Sequence, residues 1–158
     1  MSKKDEKFNE LINFQQLEIK NWVVEMDKLL TNSGCKAAVD SKGNFTYTSK
    51  QSKKIVVRIT MKETECIVRP NTINATSSDS IETNLPESML EVMRNSRGCG
   101  GCAKKNPSFI ECKHGGPYKF MQEGKEFEAC RFVGFNFSVA DAENRAALKK
   151  WLELELES

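Results

Sequence analysis

Four of the six cysteines in this chain of 158 residues fall between positions 99 and 130. Cys99, Cys102, Cys112 and Cys130 follow the spacing C-x2-C-x9-C-x17-C, and His114, the sole histidine, lies just beyond Cys112. The first pair is embedded in Gly98-Cys99-Gly100-Gly101-Cys102. Two thiolates flanking a glycine pair can turn onto one ion, as in a zinc knuckle. Glycine suits such a turn because it accepts positive φ and lets backbone N–H groups face the sulfurs. The spacing therefore predicts a structural zinc site made by Cys99, Cys102, Cys112 and Cys130. His114 serves as the alternate ligand if one sulfur is out of reach.

Three other readings compete with zinc. Ordinary reduced thiols are one, since free cysteine packs as a small hydrophobe. A redox Cys99-Gly-Gly-Cys102 is another, with Lys104 and Lys105 lowering a thiol pKa. A thioredoxin-like motif needs a following helix, and Pro107 disfavours one here. An iron–sulfur cluster is the last, but the spacing matches neither common ferredoxin pattern. Structural disulfides are disfavoured because nothing marks the chain as secreted.

The elements that must position these sulfurs are legible on both sides. Tyr118 to Gln122 and Lys125 to Phe137 read as a β-hairpin turning at Glu123-Gly124. A two-residue loop sets Phe120 opposite Phe127, Tyr118 opposite Ala129, and Lys119 opposite Glu128. A three-residue loop would instead pair Phe120 with Glu126, and is disfavoured. Val133, Phe135 and Phe137 extend the apolar face of the second strand. Cys130 then points away from that face at the mouth of the hairpin, opposite Pro117, toward the side where Cys112 arrives. Ahead of the cysteines, Leu85-Pro86-Glu87 opens a short helix with Pro86 in its first turn and Met89, Leu90, Val92 and Met93 on its apolar side. Asn95-Ser96-Arg97-Gly98 ends it.

From Asp5 to Asn32, Phe8, Leu11, Ile12, Ile19, Trp22, Val23, Met26, Leu29 and Leu30 recur at helical spacing. The stripe lapses at Gln15-Gln16, which leaves one helix or two, and Asn32-Ser33-Gly34 caps its end. Packing on the chain's own sheet is preferred to a coiled-coil dimer. A meander follows. Cys35 to Asp40 forms a strand, Ser41 to Asn44 a turn, and Phe45 and Tyr47 alternate with polar neighbours. Ile55, Val57, Ile59 and Met61 face one way and Lys54, Val56, Arg58 and Thr60 the other, before a turn at Lys62-Glu63-Thr64 and a strand through Cys66, Ile67 and Val68. Cys35 and Cys66 are read as small apolar core groups. Asn71 to Asn84 is a polar loop. Ser138-Val139-Ala140-Asp141 resembles a capping box before a last helix, to about Glu155, carrying Leu148, Trp151 and Leu152.

The predicted fold class is α+β: an antiparallel sheet with N-terminal and C-terminal helices packed on it and a zinc-ribbon-like cysteine hairpin. The length suits a single domain over 1–158. Within it, 1–97 holds helix, meander and short helix, 98–137 the cysteine hairpin and 138–158 the terminal helix. Hydrophobic content of 39% and charged content of 29% suit a soluble globular chain. No signal-peptide h-region follows Met1, and no apolar run reaches membrane-spanning length, so the cytoplasm is expected. The glycosylation sequons at Asn44, Asn74 and Asn136 are then chance matches. The net charge of +2 conceals segments of net +4 (43–71), −4 (72–92) and +4 (93–133). That patterning is too weak to imply nucleic acid by itself.

The order of helix, meander, Leu85-Pro86 helix and cysteine cluster, followed by Tyr118-Lys-Phe-Met-Gln-Glu-Gly124, Cys130-Arg-Phe-Val-Gly-Phe135 and an acidic Leu-Glu helix, resembles a family of small uncharacterised bacterial proteins. The resemblance spans most of the chain. It implies the architecture and the grouping of cysteines, and it implies no catalytic residue.

Three functions remain in view. A non-enzymatic zinc module would bind a protein or nucleic acid through Lys104, Lys105, Phe109, Lys113 and Lys119, although lysines are more commonly a solvated face and Phe109 core. An enzyme is disfavoured: there is no H-E-x-x-H and no Gly-rich phosphate loop. A single imidazole shared with a metal cannot complete a Ser-His-Asp set, although Cys99 with His114 has the residue types of a nucleophile pair. A metal or thiol sensor would use Cys99-Gly-Gly-Cys102 to switch the hairpin between ordered and disordered forms.

Overall fold

The computed structural model describes residues 2–71, 85–96, 118–130 and 133–157. Among these residues the order is α1 (Lys3–Ile12), α2 (Leu17–Asn32), β1 (Cys35–Val39), β2 (Asn44–Ser49), β3 (Ile55–Met61), β4 (Cys66–Pro70), α3 (Glu87–Arg94), β5 (Tyr118–Gln122), β6 (Lys125–Ala129), β7 (Phe137–Ser138) and α4 (Ala142–Leu156). Strands β1-β2-β3-β4-β7 form an antiparallel sheet in that spatial order, and β5-β6 form a separate hairpin.

The lapse at Gln15-Gln16 separates two helices. Gln15 spans the break and donates from Nε2 to the Lys62 carbonyl at 2.7 Å, fastening the helix corner to the β3–β4 turn. The predicted cap holds at the end of α2: the Ser33 N–H closes the last turn, and Gly34 takes the left-handed conformation at φ +88°.

One face of the sheet is apolar and covered by helices, as the alternation along β2 and β4 requires. Phe45, Tyr47, Val57, Ile59, Met61, Cys66, Val68 and Phe137 are buried on it. Phe8 of α1 meets the Phe45 ring edge-on at 5.6 Å, and Trp151 of α4 meets Phe137 at 5.7 Å. The buried Tyr47 hydroxyl donates to Asp27 Oδ1 of α2 at 2.7 Å, and Lys4 Nζ donates to the same oxygen at 2.7 Å. Trp22 Nε1 donates to the Arg145 carbonyl at 2.9 Å, which ties α2 to α4. The N-terminal helices thus pack on the chain's own sheet.

Four details differ from the sequence reading. Ile55 lies on the outer face and is 39% exposed. The register passes from Tyr47↔Val57 to Thr48↔Ile55, so Val56 is an extra residue in β3 and the parity flips there. The strand predicted through Phe137 stops at Ala129. The Gly134 N–H closes a turn onto the Cys130 carbonyl at 2.9 Å, with Gly134 at φ +65°, and β7 then joins the five-stranded sheet beside β4. Finally, Asp141 rather than Ser138 caps α4, its carboxylate accepting from the Asn144 N–H at 2.8 Å. Pro86 likewise stands at the cap position of α3, one residue ahead of the first turn.

Candidate metal centre

The hairpin β5-β6 has the predicted two-residue loop. Glu123 (φ 51°) and Gly124 (φ 77°) both have positive φ, as a type I′ turn demands, and this turn matches the twist of the strands it joins. Tyr118 pairs with Ala129, Lys119 with Glu128, and Phe120 with Phe127. Phe120 stacks on Phe127 at 5.5 Å and on Tyr118 at 5.5 Å, and Phe135 abuts Tyr118 and Phe120 edge-on. Phe135 then contacts Phe137, which contacts Trp151, so an unbroken aromatic chain anchors the hairpin in the core. Val133 is half-buried, outside this chain. The Lys119–Glu128 ion pair, at 3.7 Å on the exposed face, contributes little.

Cys130 follows directly on the last rung of the hairpin, is half-buried and carries a free thiol. Its neighbour Ala129 is buried on the apolar side, whereas Cys130 is partly open.

Two other attachments bring the segment before the cysteines toward it. Arg94, in the last turn of α3, donates to Gln122 Oε1 at 2.7 Å, and Gln122 Nε2 donates to the Leu90 carbonyl at 3.3 Å. At the other end of α3, Ser88 donates to Asn144 Oδ1 at 2.9 Å, while the buried Asn144 holds the Ser138 carbonyl at 2.9 Å. Helix α3 is thereby pinned between the hairpin and the start of α4. A cleft of about 450 Å3 opens beside it, lined by Asn95 and Ser96 from its end and by Val133, Gly134 and Asn136 from the chain after Cys130.

The remaining two described cysteines sit elsewhere. Cys35 and Cys66 are buried on the inner face of the sheet, and burial raises both thiol pKa values, that of Cys66 to about 12. A thiol so disfavoured as thiolate is a poor nucleophile and a poor metal ligand. Their reading as apolar core groups agrees with this placement.

Cys99, Cys102, Cys112, His114, Lys104, Lys105, Phe109 and Lys113 lie outside the described residues. Among the described residues no group of three or more His, Cys, Asp or Glu side chains could hold a metal ion, and of the four predicted sulfur ligands only Cys130 belongs to that set. Also among the described residues, no helix is long and apolar enough to cross a membrane. Comparison with protein-family models, curated proteins and solved structures yields no match.

A second polar feature escaped the sequence reading. Arg58 and Arg69 stand directly opposite one another on the outer face of β3 and β4. The signal was available, because the turn that sets Met61 against Cys66 fixes this pairing three residues away on each strand.

Proposed function

We propose that this chain is a non-enzymatic binding module whose hairpin is fastened by a structural zinc ion on Cys99, Cys102, Cys112 and Cys130, with His114 as the alternate ligand. The observation that carries this reading is the cleft between the end of α3 and the chain after Cys130. Ser96, three residues before Cys99, and Val133, three residues after Cys130, line the same cleft. The chain thus enters the cysteine segment at Ser96 and comes away from Cys130 at Val133 beside one shared cleft. The sorting of thiols supports the same grouping: the two cysteines left out of the set are buried in the core, and Cys130 is partly open.

In this reading zinc neutralises the thiolates and closes the ring of chain between α3 and β6, acting by cross-linking rather than by chemistry on a substrate. The hairpin's aromatic chain already fixes one ligand, so metal loss loosens the cysteine region and leaves the sheet and its helices folded. The resemblance to small bacterial proteins is compatible with this and adds no activity.

Cobalt reconstitution tests the ligand set. Reduced apoprotein titrated with Co(II) is expected to give the strong visible bands of a tetrahedral thiolate site at one equivalent. Cys130→Ser should weaken or abolish them, and Cys66→Ala should not. Bands unchanged by Cys130→Ser, or absent from the parent, contradict the ligand assignment. Binding of single-stranded nucleic acid followed across salt then sorts the partners. A steep loss of affinity with salt indicates phosphate contacts, and no binding leaves a protein partner.

A further inference from the structure

The outer face of the five-stranded sheet holds an arrangement that the zinc reading does not use. Like charges directly opposite in an antiparallel pair disfavour folding, with Cβ atoms only about 5 Å apart. Arg58 and Arg69 occupy such a pair, both half-buried, and neither takes part in an ion pair among the described residues. They line a depression of about 360 Å3 together with Asn44, Thr46, Thr60 and Asn136. We propose that this depression binds the phosphate group of a small phosphate monoester, with Arg58 and Arg69 as its two cationic arms.

Among the described residues each guanidinium makes one hydrogen bond and has donors left over. Arg58 donates from Nε to Thr46 Oγ1 at 3.2 Å, which leaves its two terminal nitrogens for a ligand. Arg69 donates from Nη1 to the Val133 carbonyl at 3.3 Å, which leaves Nη2. The stem of Arg69 lies across Gly134, where a Cβ would sit 3.2 Å from its Cδ, so glycine there keeps the path open. The planar fork of arginine matches phosphate oxygens two at a time, and two forks facing one depression supply more donors than a chloride can use. Burial, and then the neighbouring Arg58, lower the Arg69 pKa, as expected of a positive charge that lacks its counter-ion.

The rim limits the ligand. Asp40 accepts from Asn44 Nδ2, the Asn44 N–H and the Lys42 N–H, and these contacts, the Asn44 side chain foremost, hold its carboxyl below the usual range. It thereby orients Asn44, whose Oδ1 accepts from Thr60, and it keeps a negative charge at the edge of the depression. That charge disfavours a ligand whose negative charge extends past the two arginines.

The test is the thermal midpoint and calorimetric titration of the full chain with inorganic phosphate and phenyl phosphate, against sodium chloride at equal ionic strength. Phosphate is expected to raise the midpoint where chloride does not. Arg58→Gln and Arg69→Gln should each weaken phosphate binding at least tenfold, while Lys119→Gln on the hairpin leaves it unchanged. Both arginine variants relieve like-charge repulsion, so in chloride they should be at least as stable as the parent. No phosphate-specific shift, or one that survives in both arginine variants, overturns the proposal. Vesicles carrying phosphatidic acid form a third arm: co-sedimentation without any response to free phenyl phosphate would assign the depression to a membrane headgroup and overturn it as a small-molecule site.

Discussion

Alkylation of the native, reduced protein should divide its thiols into two classes. Cys66 is 3% exposed, and burial raises its thiol from 9.0 to about 12. The thiolate is the reactive species and its fraction falls tenfold per pH unit below the pKa. At pH 8 the Cys66 thiolate is therefore about a thousandfold scarcer than in an unfolded peptide, before steric exclusion is counted. Cys35, 4% exposed and shifted in the same direction for the same reason, belongs to the same class. The assay is an iodoacetamide pulse at pH 8 with peptide mass spectrometry, run native and in denaturant. Cys130 should be modified in chelated native protein, and Cys35 and Cys66 only as fast as the chain unfolds. Native labelling of Cys66 within tenfold of its unfolded rate would refute the sorting on which the ligand set rests. The same shift has a pH consequence. The folded pKa is raised, so the folded state holds a proton that the unfolded state loses first. Stability is then whole below about pH 9 and falls as pH climbs toward about 12, by at most about 4 kcal/mol from Cys66.

Tyr47→Phe removes a hydrogen bond to the carboxylate of Asp27 but leaves Asp27 paired with Lys4, so the cost should lie near the lower end of about 1.5–3 kcal/mol. In urea that moves the midpoint down by about 1 M, and a variant as stable as the parent would contradict the burial of that hydroxyl. Gly43→Ala and Gly34→Ala form a contrasting pair at nearly equal φ (+85° and +88°). At Gly43 the new Cβ would lie 2.6 Å from the Met61 carbonyl oxygen and 3.0 Å from Leu11 Cδ1, whereas at Gly34 nothing lies within 4 Å. Gly34→Ala should cost the left-handed penalty of about 1–2 kcal/mol, and Gly43→Ala clearly more, read as unequal shifts in denaturant midpoint. Equal shifts would contradict the close approach of the β1–β2 turn to Met61.

Much of the architecture was legible because one face of each element is buried. The Phe8 to Leu30 stripe gave the N-terminal helices, and Phe120, Phe127, Tyr118 and Ala129 gave the hairpin register, since a slip by one would turn Phe120 onto Glu126. The places that failed are those where parity carries no information. Ala129, Val133, Phe135 and Phe137 keep the same odd numbering across the turn at Cys130, so alternation ran straight through it. Gly134 was the signal of a bend inside a strand pattern. Ile55-Val56-Val57 is apolar on both parities, which hid the extra residue in β3. Ser138 and Asp141 are both good caps, and only the accepted Asn144 N–H separates them. The arginine pair needs the β3–β4 register before it exists at all, because two residues eleven apart in sequence become neighbours only through that hairpin.

Elemental analysis of the reduced protein, joined to a thiol count before and after chelation, bears most directly on the zinc-fastened hairpin. One zinc per chain is the expected result, with the thiols of Cys99, Cys102, Cys112 and Cys130 shielded until a chelator removes the ion and Cys35 and Cys66 unreactive throughout. Protein that carries no metal with all its thiols intact, or zinc whose removal exposes no thiol, would contradict it.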